Sequence, residues 1–339
     1  MKVISVCNVS KQFKTPKKFP GFKGALKGLF TREYTVKNAV SNISFDIEEG
    51  EIVGYLGANG AGKSTTIKMM TGILTPSSGT ISIDGIVPYE KREKNAMNIG
   101  VVFGQRTQLW WDIPLNETYT LLKNMYDIPE DAYRERFEFL DGVLGLHEFI
   151  MQPVRTLSLG QRMKADLAAA LIHNPKVVFL DEPTIGLDVV VKEKVREAIR
   201  EINRRYNTTF ILTTHDLHDI EELSTRIIVI DKGVKCYDGS MENLKSQYGY
   251  LSTITVRIQD FAAVSEDAVK AVFDGMKHSS EFNVKKTEDS FVITFNKQFC
   301  TVSDIMQRLF ASFSVADFVV QETGIEDIVK KIYLEAGER

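Results

Sequence analysis

A glycine-rich loop between an apolar strand and a helix start carries the residues with the clearest chemistry. It has the pattern Gly-x4-Gly-Lys-Ser. Glycines let the backbone turn tightly and aim its N–H groups at an anion, and the following helix adds the positive end of its dipole. In such a loop Lys63 can reach the β- and γ-phosphates of a nucleotide, and the Ser64 hydroxyl can ligate the bridging magnesium ion. The predicted phosphate-binding residues are Gly57, Ala58, Asn59, Gly60, Ala61, Gly62, Lys63, Ser64 and Thr65.

Two carboxylates follow a second apolar strand. Residues 177–180 are all apolar, and Asp181 and Glu182 come directly after them. Such a run is typical of a fully buried parallel strand, and open α/β sheets bind ligands at the carboxyl ends of their strands. Beside a phosphate loop, Asp181 could hold magnesium through water. Glu182 could accept a proton from water that attacks the γ-phosphate.

Two further apolar strands lead to polar residues that suit the same sheet edge. Residues 99–103 lead to Gln105, whose amide oxygen could lie on the metal or on the attacking water; a solvated loop glutamine is the alternative. Residues 209–213 lead to His215, which could donate to the γ-phosphate. Because this histidine ends the next strand after the two carboxylates, we interpret it as functional.

The apolar periodicity becomes helical over residues 112–172, which predicts a helical subdomain inserted between strands. Ser158 is a typical N-cap for its last helix, and bare amides at that end favour an anion. Trp110 and Trp111 stand just before the subdomain. We expect both to pack against it, with exposure of at least one of them as the alternative. The predicted helices are 115–126, 132–144 and 160–173.

A basic segment, residues 14–37, separates the first two predicted strands, 3–9 and 43–53. It contains one acid, Glu33, and after Pro20 its apolar residues fall at helical spacing. A short basic amphipathic helix could lie on an anionic membrane surface or on a membrane-embedded partner. A surface helix packed against its own domain is the equal alternative.

The composition is that of an ordinary globular protein. The chain has 339 residues, 43% apolar and 26% charged, enough for one large or two moderate domains. A net charge of -3 argues against a protein that coats nucleic acid. Three scattered cysteines fit a reducing cytosol. Without a run of about 18 apolar residues or a signal-peptide core, we expect a chain that neither spans a membrane nor is exported.

Taken together, these motifs resemble those of the ATP-binding subunits of ABC transporters, over roughly residues 1–240. The resemblance implies an α/β fold: a RecA-like P-loop NTPase core with an antiparallel β subdomain and the inserted helical subdomain. The matching segments are Gly57–Thr65 as Walker A, Gln105 as the Q-loop, Leu157–Gln161 as the signature, Val177–Glu182 as Walker B, Gly186–Asp188 as the D-loop and His215 as the switch histidine.

The resemblance also implies ATP and Mg²⁺ as cofactors and a head-to-tail pair with a second copy or a paralogue. The ring that stacks on adenine is best matched by Phe13, with Tyr34 as a rival. The implied catalytic residues are Glu182, His215 and Gln105, and the implied metal ligands are Ser64, Gln105 and Asp181. The implied contacts to the nucleotide of the other copy are Ser158, Gly160 and Gln161, and Asp188 of the D-loop is a further implied nucleotide-binding residue.

Two positions depart from the family pattern. Leu159 stands where glycine is commonest in the signature, and the D-loop begins with Gly186 where alanine is usual. The basic segment and residues 103–114 are similar to a prokaryotic exporter-type branch that serves polysaccharide, drug or viologen efflux. The cargo and the identity of the partners are not indicated, nor is the choice between homodimer and heterodimer.

We therefore expect the ATP-hydrolysing subunit of an exporter, peripheral on the cytoplasmic face of the cell membrane. It would work through separate integral membrane permease subunits and without nucleic acid. The alternative is a soluble ABC-type ATPase that acts on ribosomes or DNA. A regulator without hydrolysis is disfavoured because Lys63, Asp181, Glu182 and His215 are all present.

Residues 241–339 show a different pattern. Strands and helices alternate in the order βαββαβ, followed by a closing helix, which predicts a small ferredoxin-like α+β domain. This C-terminal stretch has no catalytic constellation, and dimer support or regulation is our interpretation of it.

Overall fold

The computed structural model describes residues 1–16, 34–103, 107–214, 216–276 and 282–337. These residues form two units, Met1–Gly239 and Ser240–Arg339. Most of the basic segment (residues 17–33), Gln105 and His215 lie outside the described residues.

The first unit contains two sheets and the helices between their strands. In its described part the strands are β1 (Lys2–Pro16), β2 (Tyr34–Glu48), β3 (Ile52–Gly57), β4 (Ser78–Ile83), β5 (Ile99–Phe103), β6 (Val177–Asp181), β7 (Thr209–Thr213), β8 (Arg226–Asp231) and β9 (Val234–Ser240). The helices there are α1 (Lys63–Met70), α2 (Arg92–Asn98), α3 (Leu115–Met125), α4 (Glu130–Leu144), α5 (Leu159–Leu171), α6 (Val189–Tyr206) and α7 (Leu217–Leu223).

The larger sheet has the strand order β5-β6-β7-β3-β8-β9, and β3, β5, β6, β7 and β8 pair in parallel. Its central strands β6, β7 and β3 are buried along almost their whole length, as expected for a parallel sheet that is covered on both faces. Val177 to Leu180 are completely buried, which confirms the predicted buried strand. Strand β3 leads into the glycine loop and α1, as the phosphate-loop pattern requires.

The smaller sheet is antiparallel, in the order β2-β1-β4. The prediction of a strand over residues 3–9 was too short, because β1 continues to Pro16, which pairs with Tyr34. Its pairing with β2 contains several register shifts, so the alternation of the sequence is broken. The predicted strand over residues 43–53 is two strands, divided by a turn at Gly50, whose φ is +81°.

The helical segment was predicted well. Helices α3, α4 and α5 begin and end within a few residues of their predicted bounds. Ser158 is the N-cap of α5, and it forms a capping box with Gln161. No helix among the described residues combines the length and apolarity needed to cross a membrane.

The second unit is a four-stranded antiparallel sheet in the order β11-β12-β10-β13, which is the strand order of a ferredoxin-like fold. Alternate residues of β10 and β12, among them Ile254 and Ile293, point into its apolar core. The elements are α8 (Met241–Tyr248), β10 (Leu251–Ile258), α9 (Glu266–Ala271), β11 (Asn283–Lys286), β12 (Phe291–Asn296), α10 (Val302–Ser312), β13 (Val315–Glu322) and α11 (Ile325–Gly337).

Candidate nucleotide-binding site

A cavity of about 800 Å³ lies over the glycine loop. Most of the predicted loop residues line it, and both Walker B carboxylates face it from the neighbouring strand. Two members of the loop do not line it: Ala61 is buried, and Gly57 lies against Ile230. The lining residues are Phe13, Lys37, Ala39, Ala58, Asn59, Gly60, Gly62, Lys63, Ser64, Thr65, Lys68, Ile73, Phe103, Asp181 and Glu182.

Two glycines give the loop its shape. Gly60 and Gly62 have φ values of +82° and +109°, which side chains with a Cβ rarely adopt. A Cβ on Gly62 would lie 2.6 Å from the carbonyl oxygen of Ala39, whereas a Cβ on Gly60 would have no atom within 4 Å. The loop therefore needs glycine at position 62, because a Cβ there would collide with the backbone. At position 60 the missing side chain leaves open space on the side of the cavity.

Lys63 begins α1 and is 8% exposed. Its ammonium donates to the carbonyl oxygens of Gly57 at 2.6 Å and Ala58 at 3.3 Å. Burial lowers the pKa of Lys63, while the charges of Glu182 and Asp181 act in the opposite direction. A buried cation held by neutral carbonyls is well suited to an anionic ligand, which would compensate its charge.

The carboxyl ends of three strands lie level at the edge of the cavity. Phe103 of β5 pairs with Asp181 of β6, which in turn pairs with Thr213 of β7. The Thr213 hydroxyl donates to the Asp181 carboxylate, and the Glu182 N–H donates to the Thr213 carbonyl at 2.8 Å. The sheet register therefore brings the ends of all three predicted strands to one line, although Gln105 and His215 themselves are not described.

Glu182 has an unusual backbone. Its φ is +57°, in the left-handed region that non-glycine residues seldom occupy. Such conformations persist only where the surroundings fix them, and they cluster at functional sites. The turn that carries Glu182 is therefore held by its neighbours.

The residues present fit a magnesium nucleotide. Loop amides, Lys63 and two further lysines, Lys37 and Lys68, supply positive charge around the cavity. Ser64 and Asp181 supply the hard oxygen atoms that Mg²⁺ prefers, and this ion usually takes few protein ligands together with phosphate oxygens. Among the described residues, no group of three or more His, Cys, Asp or Glu side chains is placed so that it could hold a metal ion by itself.

Phe13 and Tyr34 occupy different positions. Phe13 lines the cavity and is 37% exposed, and the Lys11 ammonium lies 5.4 Å from its ring centroid. Tyr34 is exposed and does not line the cavity. Phe13 reaches the site because β1 pairs with β2 there, opposite Lys37.

The predicted signature residues lie apart from this cavity. None of Ser158, Gly160, Gln161 and Asp188 lines it. The Ser158 hydroxyl accepts from the Gln161 N–H at 3.2 Å, which leaves its own proton to donate. Asp188 caps α6 by accepting from the N–H of Val191 at 3.0 Å. Within one copy of the chain, Ser158 and Asp188 therefore act as the N-caps of α5 and α6.

Sequence reasoning missed several groups and misplaced others. Lys68 of α1 and Ile73 of the turn after it also line the cavity. The helical spacing of residues after the glycine loop was the sequence signal that could have indicated them. Trp110 and Trp111 were expected to be packed, but they are 40% and 46% exposed, and the Arg162 guanidinium lies 4.7 Å from the Trp111 ring.

The chain resembles known proteins over most of its length. Residues 40–185 match the family model described as ABC transporter. The ABC transporter ATP-binding protein NatA of Bacillus subtilis is 34% identical over 215 residues, covering 63% of this chain and 87% of NatA. The linearmycin resistance ATP-binding protein LnrL of the same organism is 28% identical over 296 residues, covering 87% of this chain and 93% of LnrL.

A solved structure agrees with these relatives. The ATP-binding cassette MJ0796, a dimer in a post-hydrolysis state with ADP and Pi, has a TM-score of 0.58 and 26% identity, covering 70% of this chain and 98% of that one. These likenesses confirm the predicted P-loop fold class and the ATPase prediction. The chain belongs to the family of ABC transporter ATP-binding proteins and is an ATPase.

Proposed function

We propose that this chain is the ATP-hydrolysing subunit of an exporter, paired with a second copy or a paralogue and bound to separate integral membrane subunits. The observation that carries the proposal is the convergence of Lys63, Asp181 and Glu182 on one cavity at the carboxyl edge of a parallel sheet. Ligands of open α/β sheets bind at this edge.

The proposed chemistry assigns one task to each group. Lys63 exchanges its two carbonyl contacts for phosphate oxygens, which are charged and therefore stronger acceptors. Ser64, Asp181 and Gln105 would hold Mg²⁺, which when bound would neutralise charge on the phosphates. Glu182 takes the proton of the attacking water as the new P–O bond forms and ADP leaves.

The pairing with a second ATPase subunit is supported by the position of the signature. Ser158, Gly160, Gln161 and Asp188 do not reach the cavity of their own copy, yet Ser158 has a hydroxyl proton to donate. It stands at the start of the 13-residue helix α5, where the helix dipole favours an anion. We assign Ser158, Gly160 and Gln161, with His215 of the opposite site, to the γ-phosphate of the nucleotide bound by the partner copy, and Asp188 is proposed as a further nucleotide-binding residue.

Export is supported by the relative LnrL, whose name describes resistance, and by the exporter-type pattern of residues 103–114. The proposed location is the cytoplasmic face of the cell membrane, where ATP is available and permease subunits can be reached. Phe13 is proposed to stack on adenine, since it lines the cavity.

Copurification tests the proposal. Tagged chain taken from detergent-solubilised membranes is expected to bring polytopic subunits with it. The complex in vesicles should move substrate away from the ATP side only with Mg-ATP. Lys63→Ala is the matched control, expected to assemble without transport. Recovery of ribosomes or DNA in place of membrane proteins, or movement toward the ATP side, would contradict the proposal.

A further inference from the structure

Helix α6 is joined to helix α7 and its N-cap residue by three ion pairs that form a ladder. Lys192 Nζ lies 2.5 Å from Asp216 Oδ2, Arg196 Nε lies 2.8 Å from Asp219 Oδ1, and Arg200 Nη2 lies 2.9 Å from Glu222 Oε2. The cations are spaced by four residues and the acids by three, so each set occupies one face of its helix.

The middle pair differs from the outer two in burial. The Arg196 and Asp219 side chains are 6% and 0% exposed, whereas the side chains of the two outer pairs are between 22% and 42% exposed. Exposed pairs contribute little, but removal of one partner from a buried pair is costly. The middle pair therefore fixes the two helices to each other.

Asp219 also reaches the turn that carries Glu182. Its second carboxylate oxygen accepts from the hydroxyl of Thr184, which is 1% exposed and stands two residues after Glu182. Both oxygens of Asp219 are thus engaged, one by α6 and one by this turn. The turn is the one with the left-handed backbone at Glu182, which needs its surroundings to hold it.

The two helices begin at functional loops. Helix α6 starts directly after Asp188 of the D-loop, and α7 starts after Asp216, the residue that follows His215. Asp216 both caps α7 and binds Lys192. One carboxylate, Asp219, therefore links the turn of the proposed base, the helix after the D-loop and the helix after the switch histidine.

We propose that Thr184 and Asp219 are positioning residues for ATP hydrolysis, which hold the Glu182 turn in register with α6 and α7. This rests on the proposed role of Glu182 as the base. Neither residue lines the nucleotide cavity, so their loss should change turnover and leave nucleotide affinity intact.

The decisive variant is Thr184→Val, which removes the hydroxyl and keeps the shape of the side chain. Displacement of a catalytic group by about 1 Å can cost on the order of 100-fold. We expect kcat for Mg-ATP to fall at least about tenfold while the Kd for AMP-PNP stays within about twofold. Thr184→Ser should restore turnover. Arg200→Met, in the more exposed of the two outer pairs, is the matched control and should stay within about twofold of wild type.

A double-variant comparison tests the connection itself. If Thr184 acts through Asp219, Asp219→Asn should cost less turnover in the Thr184→Val background than alone. Urea unfolding of Thr184→Val verifies that the protein is folded. The proposal is overturned if Thr184→Val and Arg200→Met lose equal turnover, if Thr184→Ser fails to restore it, or if affinity falls as much as kcat. Full turnover in Glu182→Gln would instead defeat the proposed role of Glu182.

Discussion

Gly62→Ala and Gly60→Ala form a matched pair that tests the shape of the phosphate loop. Both glycines have positive φ, so an alanine at either costs about 1–2 kcal/mol of backbone strain. Only at Gly62 does the new Cβ meet the backbone, 2.6 Å from the carbonyl oxygen of Ala39. Overpacking of this kind costs a further 1–3 kcal/mol, roughly. We therefore expect Gly62→Ala to lower the free energy of unfolding by about 2–5 kcal/mol and Gly60→Ala by about 1–2 kcal/mol.

The assay is urea unfolding without nucleotide, followed by tryptophan fluorescence. The chain has two tryptophans, Trp110 and Trp111, and both lie in the unit Met1–Gly239. The signal therefore reports on the unit that contains the loop. Equal m-values in the two variants and wild type are the control, since a change in m indicates a change in the unfolded or native state.

The relative loss of unfolding free energy in the two variants tests the contact between position 62 and Ala39. A loss at Gly60→Ala equal to or greater than that at Gly62→Ala would refute the argument from the Ala39 contact. The affinity for Mg-ATP gives a second comparison. A methyl group on Gly60 would enter open space at the lining of the cavity. Gly60→Ala should therefore weaken the free energy of Mg-ATP binding by more than it lowers the free energy of unfolding.

Three further predictions concern single side chains. Glu182→Gln should lower turnover by about 100-fold or more, because general bases contribute on this scale, with AMP-PNP affinity within about twofold; undiminished turnover would exclude Glu182 as the base. Phe13→Ala should weaken ATP binding about 3- to 10-fold while Tyr34→Ala leaves it unchanged, as measured by calorimetry, and the reverse result would favour Tyr34. Burial lowers the pKa of His173 to about 4, so the unfolded state binds a proton that the folded state does not, and the free energy of unfolding should fall as pH drops from about 6.5 to about 4. His173→Gln should flatten this acid dependence in urea unfolding curves.

The local motifs of this chain could be predicted from the sequence, because short stretches determine them. The loop from Gly57 to Ser64, the buried strand before Asp181 and the N-cap at Ser158 each depend on neighbours in sequence. Strand lengths were harder. The extension of β1 to Pro16 depends on pairing with a strand on the far side of the basic segment, and polar residues such as Lys11 mask it.

The partners of buried charges could not be predicted at all. In the sequence, Arg196 looks like one residue of an ordinary helix face. Asp219 looks like an acid near a histidine motif, and Thr184 looks like a residue that merely follows a proline. Their convergence depends on the packing of α6 against α7. Asp219 is 23 positions from Arg196 and 35 positions from Thr184. Sequence spacing within one helix or strand shows which residues share a face. It contains no information on which face of another element that face packs against.

The two departures from the family pattern illustrate the same limit. In the sequence, Leu159 of the signature and Gly186 of the D-loop are separate oddities. In the structure a Cβ on Gly186, whose φ is +74°, would lie 3.2 Å from a terminal methyl of Leu159. The neighbouring Gly160 faces Val191 of α6 in the same way, at 3.0 Å. The larger residue at 159 therefore occupies space that the absent side chain at 186 leaves, and the two departures are two sides of one contact between the signature and the D-loop.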